Sequence, residues 1–270
     1  MSDNFLLQIV RQRRESIDLS QDFGALRDRA EAAAATKLAH RLLSALGTEG
    51  VHIIGEFKRA SPSAGVIRND VAPAPVAQTY TRAGVSAISV LTEPNFFQGS
   101  LADVEEVRRV TSVPILRKDF TVHDSQIYEA AIAGADAVLL IVAALSDEEL
   151  TAFLRTAESV GLDALVEVHS AEEMCRAADA GAALIGVNNR DLGSLLVSLD
   201  TSMALAQHAP TEAILISESG IKSPDDVARL CSAGYRGFLI GESLMRAADP
   251  AVLIAKFRAA PSESMNVARL

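Results

Sequence analysis

The sequence predicts an α/β fold, a (β/α)8 TIM barrel preceded by a helical extension, and three observations carry that reading. Short β-branched apolar runs alternate with amphipathic helical stretches from about residue 50 onward, and eight such runs fit within about 200 residues. A glycine recurs a few residues before most of the runs. Strand–helix alternation forces parallel neighbours, and unbroken apolar runs suit strands covered on both faces.

In chain order, residues 1–48 read as helix. Phe5, Ile9, Val10, Arg13 and Ile17 fall on one helical face, and "FGALRDRAEAAAATKLAHRLLSAL" (23–46) continues as alanine-rich helix. No Pro/Gly/Ser-rich linker follows, so this stretch is expected to pack on the barrel rather than stand apart. The barrel is expected over 49–260, with 261–270 as a C-terminal tail.

The strands are read at "VHIIGEF" (51–57), "SAISVLT" (86–92), "PILRKDF" (114–120), "DAVLLIV" (136–142), "DALVEVH" (163–169), "ALIGVNN" (183–189), "AILISES" (213–219) and "RGFLIGE" (236–242). Gly84, Gly134, Gly161, Gly181 and Gly234 stand just before strands, as expected of residues that end helices in the left-handed conformation. Ser146, Ser170 and Ser223 (the last followed by Pro224) mark helix starts. An open doubly wound sheet is the alternative, but no strand is followed by its GxGxxG turn.

Composition narrows the function. A net charge of −10 over 270 residues speaks against a nucleic-acid binder. The basic "RQRR" at 11–14 reads as a charged helix face. No apolar run reaches the roughly 18 residues of a membrane span, and the N-terminus lacks the order of a signal peptide. Cys175 and Cys231 lie in helical patterns without metal-ligand spacing. A cytoplasmic protein is expected, with no metal and no cofactor.

Polar residues collect at one rim. "EFKRASPSAGV" (56–66) puts Glu56 and Lys58 at the end of the first strand. Lys118 and Asp119 end the third, Glu167 the fifth, Asn188, Asn189, Arg190 and Asp191 the sixth, and Ser217, Glu218 and Ser219 the seventh. Thr92 and Glu93 follow the second. Any one of these reads most simply as a solvated loop residue. Together they point to the C-terminal face of a barrel, where such enzymes place their sites. Lys118 sits in an otherwise apolar strand, and Glu167 is flanked by Val166 and Val168, so burial would be costly without a partner. "SESGI" and "IGESLM" put Gly220 and Gly241 in the last two loops, where backbone N–H groups can cradle a phosphate. The residues alone thus indicate lysine and glutamate acid–base chemistry on a phosphorylated small molecule.

The succession "EFKRASPSAG", "SVLTEPNFFQGS", "ILRKDF", "LVEVH", "IGVNNRDL", "ISESGI" and "LIGESLM" resembles indole-3-glycerol phosphate synthase over about residues 50–250. The resemblance implies closure of an indole ring in tryptophan biosynthesis, from 1-(2-carboxyphenylamino)-1-deoxyribulose 5-phosphate to indole-3-glycerol phosphate, CO2 and water. It implies Lys118 as general acid for ring closure, with Lys58, Glu56 and Glu167 as candidates for the dehydration. Asn188 and Arg190 would orient the carboxylate and hydroxyls, and Glu218 would also touch substrate. Ser61, Ser219, Gly220 and Gly241 would hold the phosphate, while Phe97 and Leu139 would line the ring slot. Ala64 and Gly55 depart from the family's commoner lysine and alanine, and Glu242 would place a repulsive charge at the phosphate unless it points away. A monomer is expected, with weak association with other tryptophan-pathway enzymes. The rival functions are a phosphoribosylanthranilate isomerase-like enzyme and a non-catalytic phosphate-binding barrel.

Overall fold

The computed structural model describes residues 5–191 and 193–260, so the expected tail, 261–270, lies outside the described residues. Eight strands close into a parallel barrel: β1 (His52–Phe57), β2 (Ala87–Leu91), β3 (Ile115–Lys118), β4 (Ala137–Ile141), β5 (Asp163–Val168), β6 (Leu184–Asn188), β7 (Ile214–Glu218) and β8 (Gly237–Ile240). Each pairs with its sequence neighbour, and β8 pairs back onto β1. All eight expected runs are strands, each trimmed at one or both ends where the chain turns into loop.

Period-two alternation explains why the runs are apolar throughout. Ile54, Leu116, Leu165 and Ile216 point inward and pack together, while their neighbours Ile53, Ile115, Val166 and Leu215 point out to the helices. The five glycines expected to end helices all have left-handed backbone, with φ between 69° at Gly161 and 97° at Gly234. The three serines cap as expected: α7 (Asp147–Ser159), α8 (Ala171–Asp179) and α10 (Pro224–Ser232) begin on Ser146, Ser170 and Ser223.

The N-terminal stretch differs in two respects from its sequence reading. Helix α1 (Phe5–Glu15) ends before Ile17, and residues 23–46 form two helices rather than one, α2 (Phe23–Ala34) and α3 (Arg41–Leu46). Alanine content favours a continuous helix, but a tertiary anchor wins. His40 adopts a left-handed φ of 55°, and Asp163 receives the backbone N–H groups of Leu42 and Leu43 at 2.8 and 3.0 Å. A carboxylate at a helix start is worth about 0.3–1 kcal/mol, up to about 2 where partly buried. The break turns Leu42 and Leu46, both fully buried, into the bottom of the barrel against the inward residues. At roughly 1.5–3 kcal/mol per buried leucine, this plug outweighs the lost helical continuity.

Helix α1 reaches the opposite end. Arg13 donates to Asp119 at 3.0 Å, and Phe5 packs edge-on against Phe96 with ring centroids 5.1 Å apart.

Candidate active site

The last inward positions of β1, β3, β5 and β7 carry Glu56, Lys118, Glu167 and Glu218. Alternate strands of a barrel contribute one layer of four side chains, so these four form its uppermost interior layer. Glu56, Glu167 and Glu218 are each at most 2 % exposed. Three carboxylates therefore surround one ammonium. Lys118 Nζ hydrogen-bonds Glu218 Oε2 and stands 3.5 Å from Glu167 Oε2. Lys58 pairs with Glu56 at 2.7 Å.

The layer sorts its protons. Burial works against the Lys118 ammonium, but the charges of Glu218, Glu167 and Glu56 overcome it and raise its pKa above the ordinary lysine value. Burial also works against ionised Glu167, yet Lys118 and His169 hold its pKa down to about 2. Burial pushes Glu218 up to about 7, because one lysine does not offset both desolvation and the neighbouring Glu167. Opposite shifts in neighbouring carboxyls mark different roles.

Two glycines make room for this layer. A Cβ at residue 186 would collide with Glu218 Oε1, and one at residue 241 would collide with Glu56 Oε1. Gly241 was expected to serve a phosphate's approach to the backbone; here its missing side chain also seats a carboxylate.

The adjacent asparagines divide their work. Asn188 points inward, donating to Glu167 Oε1 at 3.1 Å and accepting the Arg190 backbone N–H. Asn189 is buried the other way and donates to Ser217 Oγ, Glu218 O and Ser219 O at 2.9–3.0 Å. It thereby ties down a loop that passes through left-handed φ at Ser219 (66°) and Gly220 (83°).

A cavity of about 480 Å3 opens above the layer. One wall is apolar, with Phe97, Leu139, Phe120 and Phe5. Phe97 is set by Glu93, which accepts the N–H groups of Asn95, Phe96 and Phe97. The other end holds Ser61, Ser219, Gly220 and Gly241, with Lys222 supplying positive charge. Lys58, Asn188 and Arg190 also line it, and Arg190 donates to Leu195 O at 3.1 Å. Glu242 lines the cavity but pairs with Arg246 at 3.0 Å, so its charge is balanced.

Glu218, expected to touch substrate, and the rim residues Glu93 and Asp119 have other partners in the structure. Glu218 is not on the cavity wall; it lies beneath and holds Lys118. Glu93 is fully buried and shapes the loop after β2. Asp119 touches the cavity, yet its carboxylate is committed to Arg13, Arg117, Thr92 and the Phe120 N–H. Sequence reasoning missed His169, whose ring stands 3.3 Å from Glu167, and the contribution of Phe5 from α1. Both could have been suspected only from position: one directly follows an inward-facing strand, and the other begins a helix with no place of its own in the barrel.

A parallel barrel with a part-buried lysine between carboxylates, an apolar wall and a cationic, glycine-rich far end defines an acid–base enzyme for an aromatic, anionic small molecule. The family model for indole-3-glycerol phosphate synthase matches residues 6–257, and this chain belongs to that family. The indole-3-glycerol phosphate synthase of Carboxydothermus hydrogenoformans is 46% identical over 254 residues, spanning 91% of this chain and 96% of its own. That of Syntrophobacter fumaroxidans is 43% identical over 260 residues, spanning 94% and 97%. Among solved structures, a 3-hexulose-6-phosphate synthase shares the fold with a TM-score of 0.63 at 15% identity, covering 78% of this chain and 99% of its own.

Proposed function

We propose that this chain closes the indole ring of 1-(2-carboxyphenylamino)-1-deoxyribulose 5-phosphate, releasing CO2 and water. The observation that carries the chemistry is Lys118, a part-buried ammonium held between Glu167 and Glu218 at the base of an apolar-walled cavity. The aromatic ring packs against Phe97 and Leu139, and the phosphate sits at Ser61, Ser219, Gly220 and Gly241. Arg190 and Asn188 orient the carboxylate and hydroxyls.

As the ring carbon bearing the carboxylate attacks the ketose carbonyl, Lys118 donates a proton to the carbonyl oxygen. A fixed ammonium stabilises that oxygen most as charge develops. CO2 then leaves and takes no proton with it. In the dehydration Lys58, backed by Glu56, protonates the departing hydroxyl, and Glu167 accepts the proton lost from the substrate's C1 carbon. Two protons are given and one received, so each turnover draws one proton from solvent. The reading includes a cytoplasmic monomer, in loose association at most with other enzymes of its pathway. The deciding experiment incubates the purified chain with the substrate and follows indole fluorescence together with CO2. One CO2 per indole product is expected. CO2 without indole, or neither, would overturn the reading.

A further inference from the structure

His169, the residue just after β5, has a place in no step above, and its surroundings constrain it tightly. Ser170 caps α8 by accepting the Glu173 N–H at 3.1 Å, which brings the Glu173 side chain back over the strand end. Its Oε2 accepts the His169 backbone N–H at 2.8 Å and lies 3.2 Å from the ring Nδ1. The other ring nitrogen, Nε2, stands 3.3 Å from Glu167 Oε1, close enough for an ion pair though not aligned as a hydrogen bond. A neutral imidazole carries one N–H, so one nitrogen would then turn its lone pair toward a carboxylate. Only the imidazolium meets both. The charged groups facing the ring are Glu167 from β5, Glu173 from α8 and Asp191 from the loop after β6, with Lys118 beyond Glu167.

We infer that His169 is a positioning residue: a permanent imidazolium that bridges Glu173 to Glu167 and fixes the orientation and charge of that base. This rests on the acid–base role given to Glu167 above. The bridge divides the labour of one carboxylate. Oε1 is pinned by His169 and by the Asn188 amide, whereas Oε2 faces Lys118. One oxygen is thereby held for aim, and the other is left for proton transfer. Burial works against the imidazolium, but Glu167 and Glu173 raise its pKa to about 10, in keeping with the geometry. The arrangement also explains why a second cation is present, since Lys118 is shared among three carboxylates.

Two measurements test the bridge. The first is the pH dependence of kcat in wild type, His169→Gln and Glu173→Gln. Removing the cation raises the pKa of Glu167, so the acidic limb of His169→Gln should move to higher pH by at least about one unit. Its kcat near neutrality should fall by about tenfold or more, with KM changed less than about threefold. Glu173→Gln should shift the limb the same way but less. A purely structural histidine would lower the amount of folded protein without moving the limb. The second measurement is an NMR titration of the His169 ring in the free protein. Its resonance should stay that of an imidazolium through pH 8, and in Glu173→Gln it should titrate at least one unit lower. A ring titrating near 6.5 in wild type would overturn the inference, as would a His169→Gln limb in the wild-type position. If wild type forms no indole product, the functional reading fails by itself, and the ring titration still decides the bridge.

Discussion

The Glu218 carboxylate fills the space in which a side chain at residue 186 would begin, and from there it reaches Lys118 across the barrel. Gly186 on β6 is therefore part of the acid–base layer without contributing an atom to it. Gly186→Ala should push Glu218 off Lys118 and press on Leu165. Overpacking of this kind costs about 1–3 kcal/mol, so denaturant unfolding should show a loss in that range. The same variant should lose about tenfold or more in kcat. Full activity with unchanged stability would show that Glu218 has another way to reach the lysine.

Lys118→Met keeps the length and the apolar stem but removes a cation shared by Glu218, Glu167 and Glu56. Loss of the acid should lower kcat by at least about 10²-fold, while product-analogue affinity changes by less than about tenfold. Glu218 then loses its cationic partner, while Glu56 keeps Lys58 and Glu167 keeps His169, and breaking a buried pair costs about 3–5 kcal/mol. The protonated form of Glu218 becomes favoured, so the variant should be closest to wild type in stability near pH 5 and fall behind as pH rises toward 8. Thermal unfolding across that range checks the sign. Near-normal kcat would take the central proton away from Lys118.

Gly220 combines a φ of 83° with a Cβ position 2.6 Å from Val197. Gly220→Val should be strained and should displace the loop edge formed by Val197 and Leu199. A phosphate held there predicts a KM raised by about tenfold or more in protein that circular dichroism shows to be folded. An unchanged KM would move the phosphate elsewhere.

Glu218 has a folded-state pKa of about 7, above the ordinary glutamate value, so its protonated form favours the fold. The stability it contributes is complete below about pH 4.5 and is lost as pH rises through about 7. Glu167, shifted downward, works the other way and contributes until pH falls through about 2. The Glu218 contribution should therefore decline between about pH 5 and 8, so the stability slope of Glu218→Gln over that range should be flatter than that of wild type. An equal slope in both proteins would mean that Glu218 is ionised throughout.

What could be read from the residues follows from where the physics is local. Gly134 and Gly181 mark helix ends because a left-handed residue is needed at the turn itself, and Ser146 marks a start because it caps its own helix. Lys118 and Glu167 stood out because charges in apolar strands demand partners. The rest depends on neighbours distant in the chain. The break before α3 is imposed by Asp163, more than a hundred residues away. Glu93 and Asp119 look like rim residues in the sequence, and only their partners reveal that they hold loops and the N-terminal helix. His169 reads as the tail of a strand until α8 folds Glu173 back onto it. Gly55, which departs from the family's alanine, lies where a Cβ would come within 2.7 Å of the Tyr80 ring. The reason for that glycine is a tyrosine twenty-five positions on.

Helix α3, folded across the barrel floor by its anchor on Asp163, packs Leu42 and Leu46 against the end of the barrel away from the cavity, so traffic belongs to the other end. One molecule enters and three leave by the same passage, and two of the three are no larger than a few atoms. The mouth of the barrel therefore regulates traffic in both directions, and any change that narrows it should delay the departure of all three products together.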